Sequence, residues 1–497
     1  MATKKYFATA DTTITNAFRS NLRNRGTNAN MGASDIMEVF SIYGQASSTS
    51  TELSRLLVRF PINKISANRT AGLLPASGSV NFFLNLTNAR SSETVPRDLQ
   101  LNVYAVSRSW QEGTGLDMIE YEDVVAKGDI GATWMSASST EAWTRMGGDY
   151  HTTPLYTQTF DKGTENLEID VTPLVEQWIR SAKSNYGFGV HLSPAQQAYY
   201  SGSLGQDSTS TGQLNNLSGS KTSYYTKKFF ARESEFFFKR PSLIARWDSI
   251  IKDQRGDFYS SSSMLPASQN DRTIYLYNYI GGRYYDIPAI GTGSIYVNLY
   301  SKKVSGSLIR STVVGSRESR GVYKATFALN TSASVVYDRW QNAGATDTYY
   351  TGSINIKTYE PSNYSPYPNY VTSLTNLRPI YYTHETARFR FYIRQKDWCP
   401  TIYTVAKNKN DTLTVQSASY QIHRVIDDQI IIPFDTGSTN STGLSYDVSG
   451  NYFDLDMKFF DPGYSYATKV AFYDYSVQSY VEQPYEWKFR VEKLETK

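Results

Sequence analysis

Apolar and polar residues alternate with period two along most of this chain. The alternation is clear over residues 55–60, 80–86 and 99–106, and clusters rich in Ser, Thr, Asn and Gly separate such runs. Successive side chains of a β-strand point to opposite faces, so a period of two predicts strands with one buried face. Short strands between polar turns are typical of β-sandwiches. The pattern therefore predicts an all-β protein.

One segment of the N-terminal half departs from this period. Thr172 can cap a helix, and Pro173 suits the first helical position because it needs no N–H partner there. Four apolar side chains then share one helical face: Leu174, Val175, Trp178 and Ile179. The pattern predicts one short helix within the N-terminal β-sandwich.

Shifts in composition predict three β domains joined by two linkers. A length of 497 residues suffices for about three domains at roughly 100–200 residues each. Residues 252–271 are polar and Ser-rich, and three prolines within residues 361–368 favour an extended connector. The polar tract at 201–223 is predicted to be a loop. The predicted order is a β-sandwich at 1–250, a linker at 251–271, an immunoglobulin-like β-sandwich at 272–360, a Pro/Tyr-rich linker at 361–378 and a further β-sandwich domain at 379–497.

Charge and cysteine content exclude several classes of protein. Lys plus Arg number 50 and Asp plus Glu 46, a net charge of +4 that gives only a weak basic field and does not point to nucleic acid. A single cysteine, Cys399, excludes an intrachain disulfide and a zinc site built on several thiolates. No apolar run follows Lys4 and Lys5 as in a signal peptide, and none is long enough to span a bilayer. We expect synthesis in a cytoplasm without export or membrane insertion.

Tyrosine is unusually abundant, with 40 Tyr beside 23 Phe and 8 Trp. Its ring and hydroxyl together suit half-buried positions at strands and interfaces. Tyr275, Tyr277 and Tyr279 occupy alternate positions and would place three rings on one strand face. This tyrosine stripe is the candidate contact surface. Packing within the protein, contact with another subunit and contact with a glycan all remain open for it.

Motifs for catalysis or phosphate binding are absent from the sequence. We find no nucleophile elbow, phosphate-cradling loop or zinc-binding helix motif with the spacing its mechanism needs. Residues 291–294 contain two glycines but no lysine to reach a phosphate, and predict a turn. Asp454 and Asp456 would share a strand face as a carboxylate pair or part of a calcium site, although a plain surface role is favoured. Asp427 and Asp428 are adjacent and would point to opposite faces.

The remaining reactive side chains favour structural roles. His191 and His423 fall within predicted strands, where a packed, hydrogen-bonded imidazole is the simplest interpretation. Cys399 has no recognisable His partner, so we expect a buried, inert thiol. Residues 227–230 and 236–240 mix basic and aromatic side chains as single-strand binders do, but the acids between them favour a solvated strand face. We predict no catalytic, cofactor-binding or metal site, and no cofactor.

A series of short motifs follows in a recognisable order through the N-terminal half. They lie at residues 10–14, 28–32, 55–60, 110–113, 131–134, 170–172, 186–190 and 240–243. By these motifs the first 250 residues resemble the DNRLRE, or disaggregatase-related, family of β-sandwich modules on microbial surface and polysaccharide-processing proteins. The resemblance implies that Trp110, Trp134 and Trp143 either contact glycans or anchor packing. Family members are usually exported, whereas an export signal is missing here.

The second half, residues 272–497, resembles the Tyr-rich, multi-sandwich structural proteins of tailed bacteriophages, some of which carry immunoglobulin-like modules. A phage protein is made in the host bacterial cytoplasm and exposed only after lysis, which fits surface-type modules without export signal or disulfide. We predict a non-enzymatic virion component of the tail, baseplate, neck or capsid surface, with copies of itself and other virion proteins as partners. The alternatives are a carbohydrate-binding adhesion protein that contacts host surface polysaccharide and a polysaccharide-degrading enzyme.

Overall fold

The computed structural model describes residues 2–91, 97–116, 120–121, 131–202, 212–357, 369–399, 402 and 412–493. The chain forms two compact units, an N-terminal unit, Thr3–Trp247, and a C-terminal unit, Asp248–Lys497 together with Met1–Ala2. Strands account for 44% of the residues and helices for 7%, so the prediction of an all-β, multi-sheet fold is confirmed. The finer boundaries predicted at 251–271 and 361–378 stay predictions, and residues 361–368 lie outside the described ranges.

The described residues of the N-terminal unit form eleven strands in two antiparallel sheets. They are β1 (Thr3–Phe7), β2 (Ala10–Thr15), β3 (Ile36–Tyr43), β4 (Thr51–Arg59), β5 (Asn81–Leu86), β6 (Leu99–Val106), β7 (Tyr150–Phe160), β8 (Leu167–Asp170), β9 (Phe188–Leu192), β10 (Tyr224–Phe230) and β11 (Ser242–Arg246). The smaller sheet has the order β1-β11-β5-β8. The larger has the order β10-β3-β4-β9-β6-β7, with β2 paired to β4.

The larger sheet is covered on both faces. Leu56 and Val58 of β4 point into the core that the unit's helices also line, whereas Leu57 points into a second core formed with Trp110 and Trp134. The prediction of one buried face is therefore wrong for residues 55–60. Loops that carry the tryptophans cover the face that would otherwise meet solvent, so both faces of this strand are buried.

Two α-helices, not one, lie in the described part of the N-terminal unit: α1 (Ile62–Thr70) and α2 (Thr172–Ile179). The sequence pattern missed α1 because only Ile62 and Ile65 of that helix are buried. The predicted cap at Thr172 is also wrong. Thr172 is the first residue of α2, and its hydroxyl accepts the Phe82 N–H at 2.7 Å, so it ties the helix to the neighbouring strand.

The C-terminal unit begins with a seven-stranded sheet and a short hairpin. The elements are β12 (Phe258–Tyr259), α3 (Ala267–Asn270), β13 (Arg272–Tyr277), β14 (Tyr279–Ile280), β15 (Arg283–Tyr284), β16 (Ile295–Tyr300), β17 (Leu308–Ser319), β18 (Val322–Phe327), β19 (Val335–Gln341) and β20 (Thr348–Lys357). The sheet order is β12-β20-β19-β16-β17-β18-β13. Phe258 of the first strand and Phe327 of the sixth bring their rings to 5.3 Å, so the sheet folds around one core.

Two further sheets form a β-sandwich at the end of the C-terminal unit. Their strands are β21 (Tyr370–Leu374), β22 (Ile380–Tyr382), β23 (Thr386–Gln395), β24 (Ala418–Arg424), β25 (Ile430–Ile432), β26 (Ser445–Asp447), β27 (Gly450–Asp456), β28 (Ser465–Asp474), β29 (Ser479–Glu482) and β30 (Trp487–Glu492). The orders are β21-β23-β27-β26 and β22-β30-β28-β24-β25, with β29 paired to β28. Aromatic rings meet between the sheets, as Phe453 of β27 stacks on Tyr420 of β24 at 4.0 Å.

The start of the predicted 251–271 linker is paired to this sandwich. The Ile251 N–H donates to the Ser445 hydroxyl at 3.0 Å, and the Asp253 N–H donates to the Tyr446 carbonyl at 3.1 Å. Arg255 then makes a double hydrogen bond to Asp338, at 2.7 and 2.8 Å, and that carboxylate is fully buried. Residues 251–255 therefore join the seven-stranded sheet to the sandwich within the C-terminal unit.

Candidate interaction surface

The three rings of the tyrosine stripe have different environments. Tyr275 and Tyr277 lie on β13, but the strand ends at Tyr277 and Tyr279 starts β14. Only 7% of Tyr275 is exposed, Tyr277 is half-buried, and 52% of Tyr279 is exposed. The stripe therefore runs from the interior of the C-terminal unit to its surface.

The inner part of the stripe is a packed contact. The rings of Tyr275 and Tyr277 stack with centroids 6.3 Å apart, and the Tyr277 hydroxyl donates to an Asp253 carboxylate oxygen at 3.4 Å. Burial raises the pKa of both tyrosines and raises the pKa of Asp253 to about 6. For these two tyrosines, packing within the protein is the interpretation that fits.

The outer part of the stripe belongs to a tight hairpin. Strands β14 and β15 pair Tyr279 with Tyr284 and Ile280 with Arg283, which leaves Gly281 and Gly282 as a two-residue turn. Their φ angles are +58° and +77°, which glycine adopts without strain and which a turn of this length requires. We call residues 279–285 the aromatic hairpin.

The aromatic hairpin presents apolar side chains to solvent. Tyr279 is 52% exposed, Ile280 51% and Tyr285 46%. Two exposed arginines lie beside them, Arg283 within the hairpin and Arg320, whose guanidinium sits 4.6 Å from the Tyr285 ring centroid. Tyrosine and arginine are the residue types that most often anchor protein–protein interfaces.

A hydrogen-bond chain holds the base of the hairpin against β23. The Tyr279 hydroxyl donates to the Tyr284 hydroxyl at 2.7 Å, and Arg388 donates to that same oxygen at 3.2 Å. Arg388 also makes a double hydrogen bond to Asp454, at 2.8 and 2.9 Å, and its guanidinium lies over the Tyr452 ring at 4.1 Å. The exposed rings therefore stand on an anchored base.

A second exposed aromatic turn lies between β28 and β29. Tyr475 is 68% exposed, and Val477 and Val481 are 58% and 42% exposed. Tyr473 packs edge-on against Tyr475 at 5.0 Å and against Tyr480 at 5.3 Å. This turn gives the sandwich an apolar surface of its own.

The three tryptophans of the family resemblance are packing anchors. Trp110, Trp134 and Trp143 are 1%, 0% and 6% exposed. Their indole N–H groups donate to backbone carbonyls within the N-terminal unit, at 2.7, 2.8 and 2.9 Å. Rings this buried cannot contact a glycan, so the packing interpretation holds for all three.

The acidic candidates make local contacts. Asp454 pairs with Arg388, and Asp456 accepts the Lys458 N–H at the start of a short 3-10 helix. Asp427 pairs with Arg424 at 2.6 Å, while Asp428 has a positive φ and lies between β24 and β25, outside any strand. Among the residues that the structure describes, no group of three or more His, Cys, Asp or Glu side chains could hold a metal ion.

The histidine predictions fit the structure, and the cysteine prediction is wrong. The His191 Nδ1 lies 3.0 Å from the Leu192 carbonyl, and its ring stacks on Tyr104 at 4.6 Å. His423 is also buried, with its Nε2 3.7 Å from a Glu486 carboxylate oxygen. Cys399 follows the turn after β23 and is exposed, so the expected burial of its thiol is wrong.

The basic and aromatic run at residues 227–230 is not a solvated strand face. Lys227 is fully buried and donates to Asn88 and to the Gly163 and Glu165 carbonyls, at 2.6 to 2.7 Å. Lys228 pairs with Glu38 at 2.8 Å. Both ammonium groups are used within the fold, so the predicted solvent exposure is wrong for Lys227. Residues 291–294 do form the predicted turn before β16.

The N-terminal unit also has a cleft that the sequence pattern does not predict. It encloses about 470 Å³ and is lined by Arg55, Tyr104, Tyr150 and His191, among others. The signal that could have found it is Arg55 itself, a charged residue within the apolar run of β4. Its neighbours in the cleft come from distant parts of the sequence, and strand periodicity does not bring them together.

No family model matches this chain, and no curated protein matches it. In the described ranges, every helix is too short or too polar to cross a bilayer. The function is therefore inferred from the residues and their geometry.

Proposed function

We propose that this chain is a non-enzymatic structural component of a tailed bacteriophage virion that acts through Tyr-rich protein–protein interfaces. Its partners are copies of itself and other virion proteins. It is located in the tail, baseplate, neck or capsid surface. It is made in the cytoplasm of the bacterial host. The aromatic hairpin is the observation that carries the proposal.

The hairpin supports assembly because its apolar exposure is concentrated and its base is anchored. Tyr279, Ile280 and Tyr285 lie within seven residues and are each about half exposed. Their base is tied down through Tyr284 and Arg388. Ordering of loose side chains costs free energy on association, so a surface that is already fixed binds with less loss. Aromatic anchors with neighbouring arginines are typical of interface hot spots.

The phage context is supported by the resemblance of residues 272–497 to Tyr-rich virion proteins and by an architecture of successive β-sheets. The second aromatic turn, at Tyr475, adds another surface suited to a neighbour. A stable interface commonly buries more than about 1,200 Å² in total. Neither turn alone provides that much area, so each is an anchor within a wider contact.

Quantitative mass spectrometry of purified particles tests the proposal. Particles of the virus that encodes this chain are banded in a density gradient and compared with the cleared lysate. We expect a constant copy number per particle across gradient fractions, in a fixed ratio to the major capsid protein. A chain that is abundant in the lysate and absent from the banded particles would contradict the proposal.

Carbohydrate contact is the second candidate function, and the cleft of the N-terminal unit favours it. Tyr104 and Tyr150 line this cleft together with polar side chains, the mixture that small-molecule sites present. An adhesion protein that touches host surface polysaccharide would use such a site. Binding of the full chain on a glycan array tests this candidate independently of particle composition.

A further inference from the structure

We propose that the cleft of the N-terminal unit binds an acidic saccharide, with the ligand's carboxylate at Arg55. The inference rests on the second candidate function, carbohydrate contact, and names the ligand class and the residue that selects it. The assembly role of the aromatic hairpin does not depend on it. The argument starts from a buried charge.

Arg55 is a cation in the interior of the unit. Only 9% of the residue is exposed, and it is followed on β4 by Leu56, Leu57 and Val58, which are all fully buried. Its Nη1 donates to the Gly147 carbonyl at 2.8 Å, while its Nε is buried without a hydrogen-bond partner. A buried guanidinium with an unfilled donor is unfavourable until a partner supplies an acceptor.

Aromatic rings offset part of this cost. The Arg55 guanidinium lies 5.3 Å from the Trp134 ring centroid and 5.6 Å from that of Tyr150. Cation–π contacts of this kind stabilise a desolvated charge. They supply no acceptor for the Nε hydrogen, so the guanidinium still lacks a hydrogen-bonding anion.

The charges in the cleft do not balance. Asp149 is the only acid among the described residues that line it, and Arg108 holds that carboxylate at 2.9 Å. The backbone N–H groups of Thr144 and Arg145 also donate to Asp149, each at 3.0 Å. Over the described part of the chain, neither Arg55 nor the exposed Arg145 has a carboxylate partner. The cleft therefore carries an excess of positive charge.

The neighbouring histidine responds to this charge. Burial lowers the pKa of His191 to about 3, with the positive charge of Arg55 as the second cause. At neutral pH the imidazole is therefore uncharged and does not compete with Arg55 for an anion. A ligand carboxylate would be the missing counter-charge, and its two oxygens match the planar donor fork of arginine.

The rest of the cleft suits a sugar ring better than a bare ion. The rings of Tyr104 and Tyr150 line it with centroids 6.0 Å apart, and His191 stacks on Tyr104 and fixes its plane. Three residues with hydroxyl groups, Ser107, Thr144 and Thr152, also line it. Sugar rings combine apolar C–H faces with many hydroxyls, so aromatic faces beside hydroxyls complement both. A volume of about 470 Å³ is within the usual range for small ligands.

Calorimetric titration of the full chain tests the inference. The probes are oligosaccharides of galacturonic, glucuronic and sialic acid, neutral oligosaccharides of the same length, and inorganic phosphate. We expect at least one acidic saccharide to bind about tenfold or more tightly than its neutral counterpart and more tightly than phosphate. Equal binding of acidic and neutral saccharides would keep carbohydrate contact and overturn this inference. Binding of no saccharide overturns both, and phosphate binding as tight as the best saccharide overturns the saccharide assignment.

Variants locate the site. Arg55→Met keeps an unbranched apolar side chain in place of the arginine stem and removes the guanidinium with its charge, and we expect affinity to fall about tenfold to a hundredfold. Because Arg55 lies in the core, circular dichroism and thermal melting verify folding, and Arg145→Gln at the exposed rim gives a second test with a loss of about two- to fivefold. Arg283→Gln in the aromatic hairpin is the matched control and should bind as the unmodified chain does. Unchanged affinity in both Arg55→Met and Arg145→Gln would overturn the proposal.

Discussion

Two groups of tyrosines in the C-terminal unit differ in what covers them. In the sandwich, Tyr420 and Tyr466 are 2% and 0% exposed, and Tyr420 stacks on Phe453 of the facing sheet at 4.0 Å. In the aromatic hairpin, Tyr279 and Tyr285 are 52% and 46% exposed. The residue type is the same in both places. The facing sheet covers the tyrosines of the sandwich. None of the described residues covers Tyr279 and Tyr285 to the same extent.

The comparison separates two uses of tyrosine. A ring between two sheets contributes to folding, because its whole surface leaves water. A ring that is exposed on a hairpin loses its contact with water only when a partner covers it, so it contributes this free energy to association. The high tyrosine content therefore serves the core as well as the surface, and only the exposed group supports the proposed assembly.

The largest expected effect is on stability, from truncation of a core tyrosine. Tyr420→Ala removes a ring that is stacked between the sheets, and we expect a loss of about 3–5 kcal/mol in the free energy of unfolding. Tyr420→Phe keeps the ring and is the matched control, with a loss of less than about 1.5 kcal/mol. Urea denaturation followed by circular dichroism measures both. A Tyr420→Ala chain as stable as the Phe variant would remove the distinction between the two groups.

The next effect concerns the inner end of the tyrosine stripe, where Tyr277 contacts Asp253. The pKa of Asp253 is raised by burial from 3.8 to about 6. The folded state therefore holds this proton over a pH range in which the unfolded state has lost it. Stability from this group is highest below about pH 4 and falls as pH rises towards 6, by on the order of 2 kcal/mol.

Asp253→Asn removes that pH dependence. The amide oxygen still accepts the Tyr277 hydroxyl and cannot ionise. We expect the variant to gain stability relative to the unmodified chain as pH rises from 4 to 6.5, measured as melting temperature across that range. Asp271→Asn, at an exposed position of the same unit, is the control and should follow the unmodified profile. Parallel profiles for all three chains would place the buried contact in doubt.

The smallest effect on stability is expected at the hairpin, together with a large effect on assembly. Ile280→Ser with Tyr285→Ser replaces two exposed apolar side chains, so the free energy of unfolding should change by less than about 1 kcal/mol. Incorporation into particles should fall at least severalfold, because interface anchors contribute most of the binding free energy. Val304→Ser replaces a residue that is 75% exposed outside the hairpin and should incorporate normally. Equal incorporation of both variants would contradict the assigned surface.

The strands and the site were not equally predictable from sequence. The strand predicted at residues 99–106 coincides with β6, because apolar and polar residues alternate along it. Alternation predicts one strand through Tyr275, Tyr277 and Tyr279. The strand ends instead before Asn278, whose side chain donates to the Tyr285 carbonyl at 2.7 Å. The period continues through the break, so alternation alone could not find the hairpin. The Gly281–Gly282 pair was the local signal for it.

Buried charges were the other class of feature that periodicity could not place. Lys227 and Arg55 both sit in strands, and polar residues there are expected to face solvent. The acceptors for Lys227 are supplied by residues about 60 and 140 positions away. Such partners are brought together only by the assembled sheets, so the local pattern does not predict that Lys227 is buried. For Arg55, the apolar run of β4 is a local signal of burial, but it does not identify the neighbours of Arg55 in the cleft.

Hydroxyl-radical footprinting of tyrosines in the free chain and in purified particles tests the central claim most directly. Tyr279 and Tyr285 should be oxidised rapidly in the free chain and at least severalfold more slowly in particles, while Tyr420 and Tyr466 should be protected in both. Oxidation of Tyr279 and Tyr285 at the same rate in the two preparations would show that these rings meet no neighbour, and would contradict the account.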